Sequence, residues 1–240
     1  MIDFHSHILP GVDDGSKNLL MSVTMLRRLY KQGVTKVAAT PHFYADKQSP
    51  DSFARKRDEK WKELRKHLDA ECPEVILGAE VYYFEGISKS DSLSKLKIGE
   101  TPLILVEMPF RKWNERITDE ILELNAIPDV TVIIAHIERY FKFSADDFLD
   151  ELIENGVYIQ MNAENFENIF TRGRAIDMLR DGKVSVIGTD CHNLTSRPPN
   201  MAAAISYIKK QHDGDQLIKR IETLSNKLLC DQRSMLRSEN

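Results

Sequence analysis

The sequence has few cysteines and no spacing typical of a disulfide framework. Cys72, Cys191 and Cys230 are the only three in 240 residues, and they are widely separated. An odd number of unpaired cysteines argues against a disulfide-stapled fold and against a closed structural zinc site. This usage is typical of a reducing compartment, so we expect a cytoplasmic protein.

Long apolar runs, a targeting segment and linkers are also lacking. No apolar run reaches the roughly 20 residues of a membrane span, and the polar His5-Ser6-His7 comes too early for a signal peptide. The net charge of −4 gives no general attraction to nucleic acid or acidic membranes. Since no repeat or Gly/Ser-rich stretch divides the chain, we expect one domain over residues 1–240.

Short β-rich runs alternate with helical patterns along the chain. The seven predicted strands are Ile2–His5, Val34–Thr40, Val75–Tyr83, Leu103–Met108, Val130–Ala135, Val157–Ala163 and Val184–Thr189. Strands separated by helices predict an α/β fold with a parallel sheet. We expect this sheet to close into a seven-stranded (β/α) barrel, with an open doubly wound sheet as the alternative.

Helix boundaries can also be predicted. Ser16 is expected to cap a helix that ends at Gly33, and Thr118 is expected to open a later helix. Ser144 and Asp147 form a capping-box pattern before a further helix. The other predicted helices cover residues 52–70, a stretch that ends near 180, 201–212 and 215–229.

Histidines and carboxylates stand at the ends of six of the seven predicted strands. In chain order they are His5 and His7, His42, Glu80, Glu107, His136, and Asp190 with His192. In a parallel barrel the carboxyl ends of all strands meet at one rim, where the βα loops build the active site. We therefore expect these side chains to lie together.

Each member of this set also has an ordinary explanation. A lone histidine at a strand end is commonly structural, and Asp14 in Val-Asp-Asp-Gly fits a turn. Glu80 and Glu107 lie in apolar strands, where a carboxylate is costly to bury unless it pairs with a basic side chain or binds metal. The prediction of a metal centre therefore depends on the joint placement.

The types and number of candidate ligands indicate more than one metal ion. Imidazole mixed with carboxylate suits manganese, iron or zinc. With Asp14 there are nine candidates, five histidines and four carboxylates, which are too many for one ion. Three divalent ions against four carboxylates leave a charge of +2, which suits a phosphate dianion, unless one carboxylate only orients a ligand.

The order of these motifs resembles one known family. The opening MIDFHSHILPGVDDGS is similar to that of bacterial manganese-dependent tyrosine-protein phosphatases of the polymerase-and-histidinol-phosphatase (PHP) superfamily, found in capsule and exopolysaccharide operons. The resemblance continues almost to the end of the chain through Thr40-Pro41-His42, Gly78-Ala79-Glu80, Val106-Glu107, Ala135-His136-Ile137-Glu138-Arg139-Tyr140 and Gly188-Thr189-Asp190-Cys191-His192. It implies a distorted, TIM-like seven-stranded barrel of the PHP type.

The resemblance also implies three overlapping sets of ligands for three ions. They are His5, His7, Glu80 and Asp190 for the first ion; Glu80, Glu107 and His136 for the second; and Asp14, His42 and His192 for the third. Arg139 is implied to contact the substrate phosphate, and Asp14 is typical of the tyrosine-phosphatase branch. Arg139 and Asp14 are therefore the catalytic candidates. The implied partner is the tyrosine-rich tail of a bacterial autokinase that controls polysaccharide export.

The chemistry favours an aryl phosphate. As a hypothesis, a hydroxide held between metal ions attacks phosphorus in line, since metal binding lowers the pKa of water to about 7. A tyrosine phenol, with a pKa of about 10, leaves more readily than a serine alkoxide. Phe43 and Tyr44, which follow His42, and Trp113 are candidate contacts for the aromatic ring.

Other functions fit parts of the pattern. Cys191 and Arg197 match the Cys-x5-Arg signature of cysteine-based phosphatases, but the segment lacks the glycines of a phosphate-cradling loop, and Pro198-Pro199 follows it. A histidinol-phosphate phosphatase, another PHP phosphoesterase, a metal-dependent amidohydrolase and a non-catalytic metal-binding protein are the alternatives. The glutamates at mid-chain strand ends disfavour the amidohydrolase.

Overall fold

The computed structural model describes residues 1–90, 92–143 and 145–235. The strands are β1 (Ile2–Ser6), β2 (Lys36–Ala39), β3 (His42–Phe43), β4 (Glu74–Leu77), β5 (Glu80–Tyr82), β6 (Leu103–Glu107), β7 (Thr131–Ile134), β8 (Tyr158–Asn162) and β9 (Val186–Gly188). The helices are α1 (Leu19–Lys31), α2 (Pro50–Leu64), α3 (Glu115–Asn125), α4 (Asp146–Glu154), α5 (Glu164–Glu167), α6 (Arg172–Arg180), α7 (Met201–Lys209) and α8 (Gly214–Met235).

The strands pair in parallel throughout. Three form a sheet in the order β1-β2-β4, and six form a sheet in the order β3-β5-β6-β7-β8-β9. Alternate residues of β6 divide between two apolar clusters, with Leu103 and Leu105 in one and Ile104 and Val106 in the other. A parallel strand covered on both faces needs apolar residues at every position, which explains the continuous apolar runs of this sequence.

The predicted α/β architecture with a parallel sheet is confirmed, but the seven expected strands are not continuous. The second predicted strand is divided into β2 and β3, and the third into β4 and β5. Pro41 lies at the first break and has no backbone N–H to donate to a neighbouring strand. Gly78 lies at the second break, where an added Cβ would meet Ile98 Cγ1 at 3.0 Å.

Three predicted helix starts differ from the structure. Asn18, not Ser16, caps α1, because its side chain accepts a hydrogen bond from Met21 N while the Ser16 hydroxyl is buried. Asn114 caps α3, which begins three residues before Thr118. The Ser49 side chain caps α2 at Pro50. The capping box predicted at Ser144 lies outside the described residues.

The first strand lies beside the last, which brings the motif at His5 and His7 next to the motif at Asp190 and His192. Asp190 N donates to His5 O at 2.7 Å, and His7 N donates to Cys191 O at 2.9 Å. The buried carboxylate of Asp3 accepts hydrogen bonds from Thr189 N at 2.8 Å and from the Thr189 hydroxyl at 2.6 Å. Among the helices of the described ranges, none combines the length and apolarity needed to cross a membrane.

Candidate metal centre

All nine predicted ligands come together in space, although His42 and Glu80 begin the short strands β3 and β5 and do not end a strand. Those on strands or directly after them are His5, His7, His42, Glu80 and Glu107, and those in the following loops are Asp14, His136, Asp190 and His192. Each contacts at least one other member of the set within 4.0 Å. Seven are buried, whereas His42 is partly exposed and Asp14 is exposed. The expected clustering therefore occurs.

His5, His7, Glu80 and Asp190 form the first group. His5 Nε2 lies 3.1 Å from His7 Nε2, and both nitrogens lie 3.2 Å from Glu80 Oε2. Asp190 Oδ1 is 3.6 Å from His5 Nε2 and 3.3 Å from His7 Nε2. Ligand atoms about 2.1 Å from one ion lie roughly 3.0–3.4 Å apart. Four of the five distances in this group fall within that range, so its spacing fits the ligand shell of a single cation.

The second group shares Glu80 with the first. His136 Nε2 lies 2.8 Å from Glu80 Oε1 and 3.4 Å from Glu107 Oε1. On the other side, His42 Nδ1 lies 2.8 Å from Glu80 Oε2 and 4.0 Å from Glu107 Oε2. Glu80 therefore contributes one oxygen to each of two neighbouring groups, as a bridging carboxylate does.

The third group lies towards the solvent. Asp14 Oδ1 is 3.4 Å from His42 Nε2 and 3.5 Å from His192 Nε2. The His7 and His192 rings approach to 3.8 Å between centroids. His192 Nδ1 is 2.9 Å from its backbone partner, Asp190 O, so Nε2 is the nitrogen that faces Asp14. His42 reaches the second group through one nitrogen and the third through the other, so the three groups form one continuous centre.

Orphaned polar atoms test whether cations fit this centre. Among the described residues, Glu80 Oε2 and His42 Nδ1 are buried side-chain atoms without a hydrogen-bond partner. Glu80 is 1% exposed, and three imidazole nitrogens surround this oxygen without hydrogen-bond geometry. An unpaired buried carboxylate oxygen is costly. A cation between the oxygen and these nitrogens removes that cost, so the residues fit a metal centre.

The titration behaviour also fits a site that binds positive charge. Burial opposes ionisation of Glu80, but the electrostatic interaction with His5 and the hydrogen bond with His136 hold its pKa well below the usual range. Burial lowers the pKa of His136, but hydrogen bonds to Glu107 and Glu80 outweigh it and raise the pKa to about 9. The pKa values of His7 and His42 are raised as well, so without metal the protons on these three histidines compensate the buried carboxylates.

Asp13 orients two of the ligands, and the sequence analysis did not identify it. Its Oδ2 lies 2.7 Å from His7 Nδ1 and accepts a hydrogen bond from His42 N at 3.0 Å. Its Oδ1 accepts from Gly15 N at 3.0 Å. A carboxylate on the far nitrogen of a histidine fixes which nitrogen faces the metal. The two neighbouring aspartates therefore differ in role: Asp13 orients the His7 ring, and Asp14 is itself a candidate ligand on the solvent side.

β8, which supplied no predicted ligand, provides an amide network beneath the centre. Gln160 Oε1 lies 3.1 Å from His5 Nδ1 and accepts from His136 N at 2.7 Å. Gln160 Nε2 donates to Asn162 Oδ1 at 2.9 Å, and Asn162 Nδ2 donates to Asp190 Oδ2 at 3.0 Å. This chain of hydrogen bonds links ligands from three strand ends and fixes their orientation.

Two ligands have a left-handed backbone conformation, which residues other than glycine rarely adopt. His136 has φ of 32° and Asp190 has φ of 52°. Such residues cost on the order of 1–3 kcal/mol each and concentrate at functional sites. The hydrogen bonds of His136 N to Gln160 and of Asp190 N to His5 O hold these two turns.

Two arginines lie at the edge of the centre. Arg139 Nη2 and Arg197 Nη2 both contact Asp190 Oδ2, and Arg197 Nη1 lies 2.9 Å from His192 Nε2. About a third of each side chain is exposed, 33% and 34% respectively. Arg139 was predicted as a phosphate contact. Arg197 was noticed only in the Cys-x5-Arg pattern, because nothing in its spacing indicates that it reaches Asp190.

The predicted aromatic contacts and Cys191 differ in their surroundings. Phe43 is buried and packs against Phe53 at 5.4 Å, so it faces the core and not a substrate; Trp113 is buried as well. Tyr44 is partly exposed, and its ring lies 5.4 Å from that of His42. Cys191 is fully buried, and burial raises the pKa of its thiol, which opposes a nucleophilic role.

Comparison with known proteins gives the family. The family described as "Capsular polysaccharide synthesis, CpsB/CapC" matches residues 1–229. This chain belongs to the CpsB/CapC family. Its matched region includes every residue of the candidate metal centre.

Members of this family resemble the chain over nearly its full length. Tyrosine-protein phosphatase CpsB of Streptococcus pneumoniae is 30% identical, over 97% of this chain and 99% of the relative. Tyrosine-protein phosphatase YwqE of Bacillus subtilis (strain 168) is 26% identical, over 97% of this chain and 92% of the relative. A structure from work on YwqE and CpsB, described as unique metal-dependent tyrosine phosphatases, superposes with a TM-score of 0.81 at 24% identity, covering 95% and 94% of the two chains. The fold is therefore shared with this group.

Proposed function

We propose that this chain is a metal-dependent protein-tyrosine phosphatase. The observation that carries the proposal is the buried carboxylate of Glu80, whose unpartnered oxygen is surrounded by imidazole nitrogens between two further ligand groups. Such a centre suits hydrolysis of a phosphate monoester. Membership of the CpsB/CapC family, with relatives named tyrosine-protein phosphatase, supports phosphotyrosine as the substrate over histidinol phosphate.

We further propose three divalent ions, with manganese preferred and iron or zinc as alternatives. The first ligand group would hold one ion, Glu80 with Glu107 and His136 a second, and Asp14 with His42 and His192 a third. When bound, such ions polarise phosphoryl oxygens and lower the pKa of water to about 7, which supplies a nucleophile at neutral pH. Asp14 is the most exposed of these ligands, with 68% of its side chain accessible to solvent.

The chain's own arginines are suited to hold the substrate phosphate. Arg139 and Arg197 both lie against Asp190, and each presents about a third of its side chain to the solvent, 33% and 34%. A guanidinium offers several N–H donors in one plane and stabilises charge on phosphoryl oxygens. Tyr44, beside His42, is suited to contact the tyrosine ring. A phenol leaving group of pKa about 10 needs little help from a general acid.

The same proposal includes the finer architecture and setting. We infer that the nine strand segments occupy seven positions of a closed, distorted barrel of the PHP type, since β2 continues into β3, β4 into β5, and β9 lies beside β1. The chain acts as a single catalytic domain in the cytoplasm. Its partner is a phosphotyrosine protein of polysaccharide export, the tyrosine-rich tail of a bacterial autokinase, in agreement with the capsular role of the family.

The test compares substrates and inhibitors on the purified chain with manganese. A phosphotyrosine peptide, a phosphoserine peptide and histidinol phosphate are assayed alone, with a chelator and with a thiol alkylator. We expect phosphotyrosine turnover that the chelator abolishes and the alkylator leaves intact. Glu80→Gln should remove most activity and bound metal, whereas Glu63→Gln, on the exposed face of α2, should change neither.

Two outcomes contradict the proposal in different ways. Preference for histidinol phosphate keeps the metal centre but rejects the tyrosine-phosphatase assignment. Loss of activity with the alkylator, but not with the chelator, rejects the metal mechanism and revives Cys191 as the candidate nucleophile.

A further inference from the structure

Aromatic side chains continue the same faces of the strands that carry the metal ligands. His42 of β3 pairs with Glu80 of β5. Tyr82 comes two residues after Glu80 on β5, and Tyr44 comes two residues after His42, just past the end of β3. Residues two apart on a strand point to the same face, about 6.6 Å further along. The Tyr44 ring lies 5.4 Å from the His42 ring and 5.7 Å from the Tyr82 ring. The two tyrosines thus stand one level above the ligands, towards the loops.

Phe110 completes this level from the neighbouring loop. Its ring stacks on His136 at 6.4 Å with an interplanar angle of 14°, and lies 5.5 Å from the Tyr140 ring. Phe110 is nevertheless 45% exposed, whereas Trp113 in the same loop is 1% exposed. A large apolar ring that stands over a metal ligand and keeps an open face is available to a ligand.

Tyr82 and Phe110 face a common space at the rim. A cavity of about 340 Å³ is lined by Tyr82, Tyr83, Phe84, Glu85, Pro109, Phe110 and Arg111. Tyr44 borders Tyr82, although Lys47 Nζ occupies one side of its ring at 4.1 Å. Tyr82 and Phe110 are therefore the principal walls, and Tyr44 is a flanking one.

We propose that Tyr82 and Phe110, flanked by Tyr44, form the specificity site that holds the aromatic ring of the substrate's phosphoester. This inference rests on the proposed function. The metal ligands and the two arginines recognise only the phosphate, which is common to tyrosine and serine esters. A phosphate held there places a tyrosine ring one ester linkage further out, at the level of these aromatic side chains. A serine ester places no ring at that level and forfeits the contact.

Inhibitor binding separates ring recognition from phosphate recognition. Phenylphosphonate and methylphosphonate share the phosphate-like group and differ in the ring, and neither requires turnover. Phe110→Ala and Tyr82→Ala should each weaken phenylphosphonate inhibition roughly 2- to 10-fold, with methylphosphonate changed less than 2-fold. Tyr82→Phe keeps the ring and should restore the wild-type ratio. Tyr30→Ala, on α1 and 44% exposed, is the matched control and should leave both constants unchanged.

Metal content and substrate turnover are measured for each variant to separate the possible failures. Equal weakening of both phosphonates, or loss of metal, would show that the rings only support the ligands and would overturn the inference. No change in either constant would overturn it as well. If wild-type protein hydrolyses no phosphotyrosine peptide, the proposed function fails first. If the wild-type protein does hydrolyse the phosphotyrosine peptide but the variants keep the wild-type ratio of the two inhibition constants, only the specificity site is rejected.

Discussion

His136 gives a test of the metal-free centre through the pH dependence of stability. Contacts with Glu107 and Glu80 outweigh burial and raise its pKa from 6.5 to about 9. A histidine whose folded-state pKa is raised stabilises the fold fully below pH 6.5, and this contribution is lost as pH rises through 9. At roughly 1.4 kcal/mol per pH unit, the interval corresponds to about 3 kcal/mol of unfolding free energy.

The assay is urea unfolding of chelator-treated protein at several pH values between 6 and 10. We expect the free energy of unfolding of the wild type to fall as pH rises across this range. His136→Gln cannot take the proton, so its free energy of unfolding should fall by about 3 kcal/mol less. His67→Gln, at an exposed position, should follow the wild type. With saturating manganese the trend should reverse, because ligands bind metal only when deprotonated. Identical pH profiles for His136→Gln and wild type in chelator would refute the reasoning.

Three further predictions concern residues around the ligands. Asp13→Asn should weaken manganese binding about 10- to 100-fold by calorimetry, because Asp13 fixes the His7 ring; an unchanged constant contradicts its orienting role. Gly188→Ala should destabilise the fold by about 1–3 kcal/mol, because the added Cβ would meet His5 Cβ at 2.5 Å, whereas Gly173→Ala, with nothing within 4 Å, should not. Cys191→Ala should retain phosphatase activity and manganese dependence, and inactivity of a folded, metal-loaded variant would revive the cysteine mechanism.

The positions of the ligands could be predicted from the sequence because a parallel sheet has a simple geometry. Every β-to-α crossover returns the chain to the same edge, so the strand ends share one rim whatever the loops do. A histidine or carboxylate within a few residues of a strand end is therefore expected at this rim. Glu80 and Glu107 were recognisable because an unpaired carboxylate does not remain in an apolar strand without a partner.

The supporting residues could not be predicted, because their role depends on the direction in which each side chain points. Phe43 and Tyr44 are neighbours in sequence, but Phe43 on β3 faces the core, whereas Tyr44, just past the end of β3, is partly exposed beside His42. Which of the two faces the ligands depends on the register of β3, which the pattern around Pro41 does not fix. Gln160 and Asn162 are ordinary polar residues in the sequence, and only the hydrogen bonds to His5 and Asp190 reveal their function.

Asp190 connects the two tasks that the site must perform. One oxygen faces His5 and His7 in the first ligand group, and the other accepts from Asn162 and contacts both arginines. Under the proposed function, metal binding through the first oxygen and phosphate binding between the guanidinium groups would both depend on this one side chain. Its left-handed backbone, with φ of 52°, is held by the hydrogen bond to His5 O on β1. The contact between the first and last strands thus holds Asp190 between the first ligand group and the two arginines, which explains how residues so far apart in sequence form one site.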